Sequence, residues 1–207
     1  MQVEVRIHGR GGQGVVTAAE LLSVAAFNDG RHAQAFPSFG SERTGAPVVA
    51  FCRIGDRPIR AHDPILAPDA LIVVDPTLLR QVDVFGGLPD HADVLINTSR
   101  EPDALGLGEL GERLAPGRLV TVPATELARE HLGRPLPNAA LLGAFSAQTG
   151  AVSIESVIAA IRQRFPGAVG EQNVAAAMQA HRHLQTRPRA LQRGSGAELQ
   201  IGQGSHA

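Results

Sequence analysis

Residues 3–30 read VEVRIHGRGGQGVVTAAELLSVAAFNDG, and this stretch decides the fold. Alternate residues at 3–7 are apolar, a pattern that is typical of a β-strand. A glycine cluster follows at 9–14, and the run at 15–29 is apolar nearly all round, which predicts a buried helix. Gly30 is the kind of residue at which such a helix ends. The chain therefore opens with a strand, a glycine turn and a buried helix.

The remainder of the chain alternates predicted strands with predicted helices. Strands are expected at 32–36, 48–54, 70–74, 92–96 and 118–122, and helices at 125–132, 139–148, 154–165 and 174–184. The apolar run at 70–74 suits a strand that is buried on both faces of a parallel sheet. Ser153 is the expected N-cap of one helix. We therefore predict one α/β domain at 1–185, with a mostly parallel sheet flanked by helices, and a polar tail at 186–207.

The composition argues against several classes of function. The formal net charge of −1 gives no global basic field, so binding to nucleic acid or to an anionic membrane is not expected. No apolar run approaches the roughly 20 residues that span a bilayer, and no secretory signal precedes the first strand, so we expect a soluble, cytoplasmic protein. Cys52 is the only cysteine, which rules out an iron–sulfur cluster held by this chain's own thiolates. It lies in an apolar run and is predicted to be a core residue.

The glycine cluster has the spacing of a dinucleotide-binding loop. Gly9, Gly11 and Gly14 fit the pattern GxGxxG between a strand and a helix, which makes a Rossmann-like glycine turn. Glycines let backbone N–H groups approach a phosphate, and the helix N-terminus adds about half a positive charge. Gln13 adds a side-chain amide that can donate to a phosphate oxygen. A tight turn with nothing bound explains the same spacing equally well.

The region after the second strand lacks a feature of NAD sites. Such sites usually place an acid about 20 residues after the glycine loop, where it binds the ribose. Here residues 34–38 read QAFPS and contain no acid. The sequence therefore keeps a phosphate cradle without the expected ribose contact, which favours a different phosphate-bearing ligand.

The loop at 36–47 reads FPSFGSERTGAP and is rich in turn-forming and functional residues. Loops that follow parallel strands gather at the carboxyl edge of the sheet, so this loop and the glycine loop are expected to face one crevice. Arg43 can bind a phosphate or a carboxylate through two parallel hydrogen bonds. The alternative is a surface loop in which Glu42 and Arg43 pair in solvent.

Three segments of the chain resemble the gamma subunit of pyruvate and related 2-oxoacid:ferredoxin oxidoreductases. They are HGRGGQG at 8–14, QAFPSFG at 34–40 and ERxGAP at 42–47. Asp75-Pro76 after an apolar strand, and Asn138 with a following Gly-Ala pair, also fit. The resemblance extends from about residue 2 to about residue 185, and the order of the three motifs makes it specific. Thr44 stands where the family often has arginine, which puts a second arginine contact in doubt.

The resemblance implies a subunit of an enzyme that converts a 2-oxo acid and CoA to an acyl-CoA, CO2 and two electrons. In that family, thiamine diphosphate with Mg²⁺ and 4Fe–4S clusters lie chiefly on partner chains. Ferredoxin accepts the electrons, or NAD does so through another chain. The gamma chain packs against the thiamine-bearing chains and is implicated in holding CoA.

The family analogy also implies a set of contacts, with no catalytic residue and no metal ligand on this chain. The residues expected to approach the CoA phosphates are Gly11, Gly12, Gln13 and Gly14. Those expected to shape the mouth of the site are Ser38, Phe39, Ser41 and Arg43, with Asn138 as a further contact.

Two other classes of function stay open at this point. One is an independent NAD-dependent reductase, which the missing acid at 34–38 and the absence of any lysine or tyrosine disfavour. The other is a stand-alone CoA-binding regulator. Copurification with larger thiamine-bearing chains separates a subunit from both.

Overall fold

One six-stranded sheet organises the computed structural model, which describes residues 2–38 and 44–186. The strands are β1 (Gln2–Arg10), β2 (His32–Pro37), β3 (Pro47–Gly55), β4 (Ala70–Val73), β5 (Asp93–Asn97) and β6 (Leu119–Val122). Their order across the sheet is β2-β3-β1-β4-β5-β6. Five of them lie where the sequence predicts them to within one residue, whereas β1 continues to Arg10, three residues beyond the alternating pattern.

The sheet is mixed and mostly parallel, which confirms the predicted fold class. β1, β4, β5 and β6 pair in parallel, whereas β3 is antiparallel to both β1 and β2. The antiparallel direction of β3 was not predicted from the sequence. It arises because the short connection between β2 and β3 leaves no room for the crossover helix that a parallel pair needs. Since β2 runs in the direction of β1, the β2–β3 connection begins and ends at the carboxyl edge of the parallel strands.

Six helices accompany the sheet within the described residues. They are α1 (Val15–Asn28), α2 (Gly108–Arg113), α3 (Ala124–Leu132), α4 (Asn138–Thr149), α5 (Ile154–Arg164) and α6 (Ala168–Gln185). The short α2 and two 3₁₀ turns at Pro76–Arg80 and Pro102–Leu105 were not predicted, and α6 begins earlier than predicted. No helix in the described part of the chain is long and apolar enough to span a membrane.

The core has a layer on each face of the sheet. On one face, Ile7, Cys52 and Ile72 pack against α1 and the C-terminal helices. On the other, Leu71 and Ile96 pack against the segment that follows β4 and the region of α2. Cys52 is fully buried, and burial raises the pKa of its thiol to about 12. It is therefore a core residue, as predicted, and not a nucleophile.

Polar contacts join the end of α1 to the start of α5. The side chain of Asp29 accepts hydrogen bonds from the hydroxyls of Ser153 and Ser156, both at 2.6 Å. Ser153 Oγ also accepts from the backbone N–H of Ser156 at 3.1 Å, so the predicted N-cap is confirmed. Beyond α6 the described residues end at Thr186, so the predicted tail lies outside them from 187 onward.

Gly143 tests the packing of the helical layer. A Cβ at this position would lie 2.0 Å from the backbone oxygen of Ala177 in α6. Because backbone cannot move aside as a flexible side chain can, we expect Gly143→Ala to lower the free energy of unfolding by about 2 kcal/mol or more. Urea titration of the purified chain measures the change.

Gly111→Ala is the matched control, since the added Cβ meets only Leu119 Cδ2 at 3.7 Å. There alanine should leave the free energy of unfolding unchanged or raise it by up to about 1 kcal/mol. Equal effects of the two substitutions would contradict the close approach of α4 and α6.

Candidate functional site

The carboxyl edge of the sheet has a crevice where neighbouring connections separate. α1, which follows β1, packs on one face of the sheet. The segment after β4 contributes Leu78 and Val84 to the layer on the other face. Such a switch between adjacent strands opens a crevice at their carboxyl ends, which is where α/β proteins bind ligands.

The glycine loop lies at this crevice. Gly12 has a φ of +91° and Gly14 a φ of +72°, both in the left-handed region that favours glycine. A Cβ at Gly14 would lie 2.3 Å from Asn138 Nδ2, so a side chain is excluded there on two grounds. A Cβ at Gly12 would meet nothing within 4 Å. The loop is therefore packed at Gly14 and open at Gly12.

The backbone N–H groups of the loop divide into two sets. The N–H of Gly11 donates to Ala46 O at 2.9 Å, and that of Gln13 donates to Arg10 O at 3.0 Å. Within the described residues, the N–H groups of Gly12 and Gly14 have no protein acceptor. The first turn of α1 carries no acidic residue, and no side chain caps it. Donors for an anion therefore come from Gly12, Gly14 and the start of α1.

Gln13 has a different environment from the one expected for a phosphate ligand. Its Oε1 accepts from the N–H of Arg10 at 2.8 Å, and its Nε2 donates to Asp75 Oδ2 at 2.8 Å. The sequence shows that residue 13 carries an amide, but it does not show which groups that amide bonds to. In the structure the side chain stiffens the glycine loop and joins it to the end of β4.

Asn138 contacts the glycine loop across a large sequence separation. Its Nδ2 donates to the backbone oxygen of Gln13 at 3.1 Å. Its Oδ1 is buried and has no hydrogen-bond partner among the described residues. Asn138, the first residue of α4, is therefore in direct contact with the glycine loop.

Asp75 holds the end of β4. Its Oδ1 accepts from the N–H of Thr77 at 2.9 Å and so caps the following turn. Oδ2 accepts from Gln13 and, at 3.0 Å, from Arg10 Nε. Burial alone raises the pKa of this carboxyl, but hydrogen bonds from Thr77 and Gln13, with the charge of Arg10, outweigh it and lower the pKa. Asp75 is therefore a fixed carboxylate at neutral pH.

A cavity of about 310 Å³ opens beside these residues. Its lining consists of Gln13, Val74, Asp75, Pro76, Asn97, Thr98, Thr125 and Glu126. Asn97, which the sequence analysis did not single out, donates to Val74 O at 2.8 Å and accepts from the N–H of Thr125 at 3.1 Å. A polar residue directly after the apolar run at 94–96 was the available signal.

The 36–47 loop meets the glycine loop as predicted, at the end that the structure describes. Gly45 donates its N–H to Gly11 O at 3.1 Å, and Gly11 forms a parallel bridge with Thr44. Ser38 is exposed at the other end, and its N–H donates to Val49 O at 2.8 Å. The predicted site residues Phe39, Ser41 and Arg43 lie outside the described residues.

His8 lies in β1 just before the glycine loop but is not exposed to the crevice. The residue is 7% exposed, and its Nε2 has no hydrogen-bond partner among the described residues. Burial, reinforced by the nearby charge of Arg6 and opposed by Asp83, lowers its pKa to about 4. His8 is therefore neutral at physiological pH and does not supply charge to an anion.

Comparison with known proteins gives consistent matches over nearly the whole chain. The family model described as pyruvate ferredoxin/flavodoxin oxidoreductase matches residues 4–183. The "Pyruvate/ketoisovalerate oxidoreductases common subunit gamma" of Thermococcus kodakarensis is 51% identical over 178 residues, covering 86% of this chain and 95% of that protein. The "Pyruvate synthase subunit PorC" of Methanothermobacter marburgensis is 48% identical over 182 residues, covering 88% of this chain and 97% of that protein.

A solved structure has the same fold. The pyruvate oxidoreductase subunit PORC from Thermotoga maritima superposes with a TM-score of 0.74 at 34% identity. The match covers 87% of this chain and 96% of that chain. Sequence and fold therefore agree over the region that contains the glycine loop and the crevice.

The low pKa of His8 predicts a loss of stability in acid. The unfolded chain binds a proton at this group near its ordinary pKa of 6.5, whereas the folded chain does so only near 4. Below pH 6.5 the unfolded state therefore binds more protons, and stability falls as the pH drops toward 4. Between pH 7.5 and 5 this one group should account for about 2 kcal/mol of lost unfolding free energy.

Urea titrations of wild type and His8→Gln at the two pH values measure the contribution. The variant should lose about 2 kcal/mol less than wild type over this interval. Replacing the exposed His32 with glutamine is the matched control and should leave the pH dependence nearly unchanged. The same pH dependence in wild type and His8→Gln would mean that His8 is not held neutral by burial.

Proposed function

Because this chain belongs to the pyruvate ferredoxin/flavodoxin oxidoreductase family as the gamma subunit of a multi-subunit 2-oxoacid oxidoreductase, we propose that it binds CoA and helps to assemble the complex. The reaction of the whole complex joins the acyl group of a 2-oxo acid to CoA and releases CO2 and two electrons. The glycine loop of this chain holds phosphate groups of CoA. A membership of this kind lends no support to the alternative of an independent NAD-dependent reductase.

The observation that carries the proposal is the set of backbone donors at the crevice. Gly12 and Gly14 have N–H groups without acceptors in the described part of the chain, and α1 presents an uncapped N-terminus beside them. Backbone N–H groups at a helix N-terminus bind phosphate because partial positive charges converge there. The adjoining cavity of about 310 Å³ gives the rest of a CoA molecule a place to continue.

The redox groups of the reaction fit partner subunits better than this chain. A 4Fe–4S cluster requires several thiolates, and the sole cysteine here is fully buried with a pKa of about 12. By the family resemblance, the thiamine diphosphate with Mg²⁺ that supplies decarboxylation also belongs to partner chains. Ferredoxin, or NAD through another chain, receives the electrons, and the complex works in the cytoplasm.

Gly12→Asp tests whether the glycine loop binds CoA. The new carboxylate would lie beside a phosphate, where Gly12 now has open space, and like charges repel. We expect the apparent KM for CoA in the assembled complex to rise roughly tenfold or more, because the new carboxylate offsets the attraction between the N-terminus of α1 and the phosphate. Decarboxylation of the 2-oxo acid measured without CoA should remain largely intact.

The matched control is Gly133→Asp. Gly133 also has a positive φ, of +67°, and open space around its Cβ, but it lies at the far end of α3 from the crevice. This variant should leave the KM for CoA unchanged. A KM that also stays unchanged in a correctly assembled Gly12→Asp complex would reduce the loop to a structural turn.

Arg43→Ala tests the contribution that the sequence assigns to the 36–47 loop. Loss of a charge-assisted hydrogen bond to a phosphate, or to a carboxylate of a neighbouring subunit, costs about 1.5–3 kcal/mol. We therefore expect a roughly ten- to hundredfold rise in the KM for CoA, or a comparable weakening of assembly seen by native mass. The exposed Arg60 provides the control substitution. A change below about twofold with assembly intact would match a solvated pair.

A further inference from the structure

Arg10, at the end of β1, makes four hydrogen bonds through its guanidinium to residues that the structure describes. Nε donates to Asp75 Oδ2 at 3.0 Å, and one terminal nitrogen donates to Gly45 O at 3.0 Å. The other terminal nitrogen donates to Thr77 Oγ1 at 2.8 Å and to Gln81 Oε1 at 2.7 Å. A guanidinium has five N–H donors, so these partners occupy all but one of them. Arg10 therefore has little capacity left for a ligand.

The partners of Arg10 belong to two segments that approach the glycine loop from opposite sides. Asp75, Thr77 and Gln81 lie at and beyond the end of β4. Gly45 lies in the segment that returns to β3. The same return segment exchanges two backbone hydrogen bonds with Gly11, from Gly11 N–H to Ala46 O and from Gly45 N–H to Gly11 O. One side chain thus joins both walls to the loop between them.

The charge of Arg10 is balanced within this cluster. Its side chain is 21% exposed and that of its partner Asp75 is 12% exposed, so the ion pair is largely shielded from water. Asp75 is further fixed by Gln13 and Thr77. A paired guanidinium offers little attraction to an anion, so attraction at the crevice depends on the backbone N–H groups and on how firmly they are held.

We infer that Arg10 is a positioning residue for the anion site: it holds residues 44–46 and the end of β4 against the glycine loop, so that Gly12, Gly14 and the start of α1 present their N–H groups together. This inference rests on the proposed function, since it concerns the same site. Donors that are fixed before binding cost less entropy when the ligand arrives. Without Arg10, the carbonyl of Gly45 and the carboxylate of Asp75 lose their shared partner, and the loop becomes mobile.

Arg10→Gln and Arg10→Lys, tested in the assembled complex, separate positioning from charge. We expect either variant to raise the apparent KM for CoA about tenfold, while kcat at saturating CoA stays within about twofold of wild type. Lysine keeps the charge but has no planar fork that can bond to both segments at once, so it should not restore the KM. Restoration by lysine would show that charge alone matters and would overturn the inference.

Hydrogen exchange supplies a readout that does not depend on CoA turnover. In the Arg10→Gln complex, the amides of Gly11 and Gly45 should exchange at least about tenfold faster, because the hydrogen bonds that they donate, to Ala46 O and to Gly11 O, open more often. Asp75→Asn removes the charged partner and should act through the same cluster. The double variant should therefore resemble the single variants instead of combining their effects. Additive effects, or unchanged exchange, would contradict a shared positioning role.

Control variants distinguish failure of the inference from failure of the proposed function. Arg113 forms a comparable but exposed pair with Asp90, at 3.6 Å, so Arg113→Gln should leave the KM and the exchange rates unchanged. If Gly12→Asp raises the KM and Arg10→Gln does not, CoA binds at the loop and Arg10 does not position it. If neither raises the KM but exchange accelerates in Arg10→Gln, the cluster is confirmed and the proposed CoA site fails.

A milder variant covers the case in which Arg10→Gln does not assemble. Gln81→Leu removes a single acceptor of the Arg10 guanidinium from an exposed position. It should raise the KM for CoA by roughly two- to fivefold and accelerate exchange at Gly45. An unchanged KM and unchanged exchange in this variant would overturn the inference without reference to the stronger substitution.

Discussion

The backbone contact between Gly11 and residues 45–46 is the constraint on which the candidate site depends. It exists because β3 runs antiparallel to β1, so that the chain entering β3 passes directly beside the chain leaving β1. Arg10 and Gln13, on the glycine loop, then reach Asp75 at the end of the parallel neighbour β4. The antiparallel pairing on one side of β1 and the parallel pairing on the other thus converge on one turn.

The same contact helps to explain why the glycines at 9–14 have different environments, although their spacing alone makes them look equivalent. In the sequence, the glycines of 9–14 look equally able to approach a phosphate. In the structure, the N–H of Gly11 is bonded to Ala46 and a Cβ at Gly14 would overlap Asn138. Gly12 alone among them combines a positive φ with open space on its side-chain face. The glycines therefore differ in what they do: Gly11 contacts the return segment, Gly14 lies close to α4, and Gly12 has an open side-chain face.

Periodicity predicted most of the secondary structure because the main elements carry strong apolar patterns. The helix at 15–28 is apolar at ten of its fourteen positions, and the four residues of the strand at 70–73 are all apolar and buried. α2 was missed because its six residues, GELGER, include two glycines and a single apolar side chain. Strand direction was also hidden, since alternation is the same in parallel and antiparallel pairs. The cap at Asp75 was predictable from local sequence, whereas its bonds to Arg10 and Gln13 depend on contacts more than 60 residues apart.

The hydrogen-bond partners of the side chains in the crevice show which of them hold the structure together. Gln13, Asp75 and Asn97 line the cavity, yet each bonds to other parts of the chain. Asp75 is held ionised by those bonds, and His8 is held neutral by burial, so neither is poised to exchange a proton near pH 7. The glycine loop beside them adds backbone N–H groups, which do not titrate and cannot act as acid, base or nucleophile. The glycine loop, with Gln13 and Asp75 bound to other parts of the chain, therefore supplies fixed donors instead of acid–base groups, which supports the proposal that it binds an anionic group.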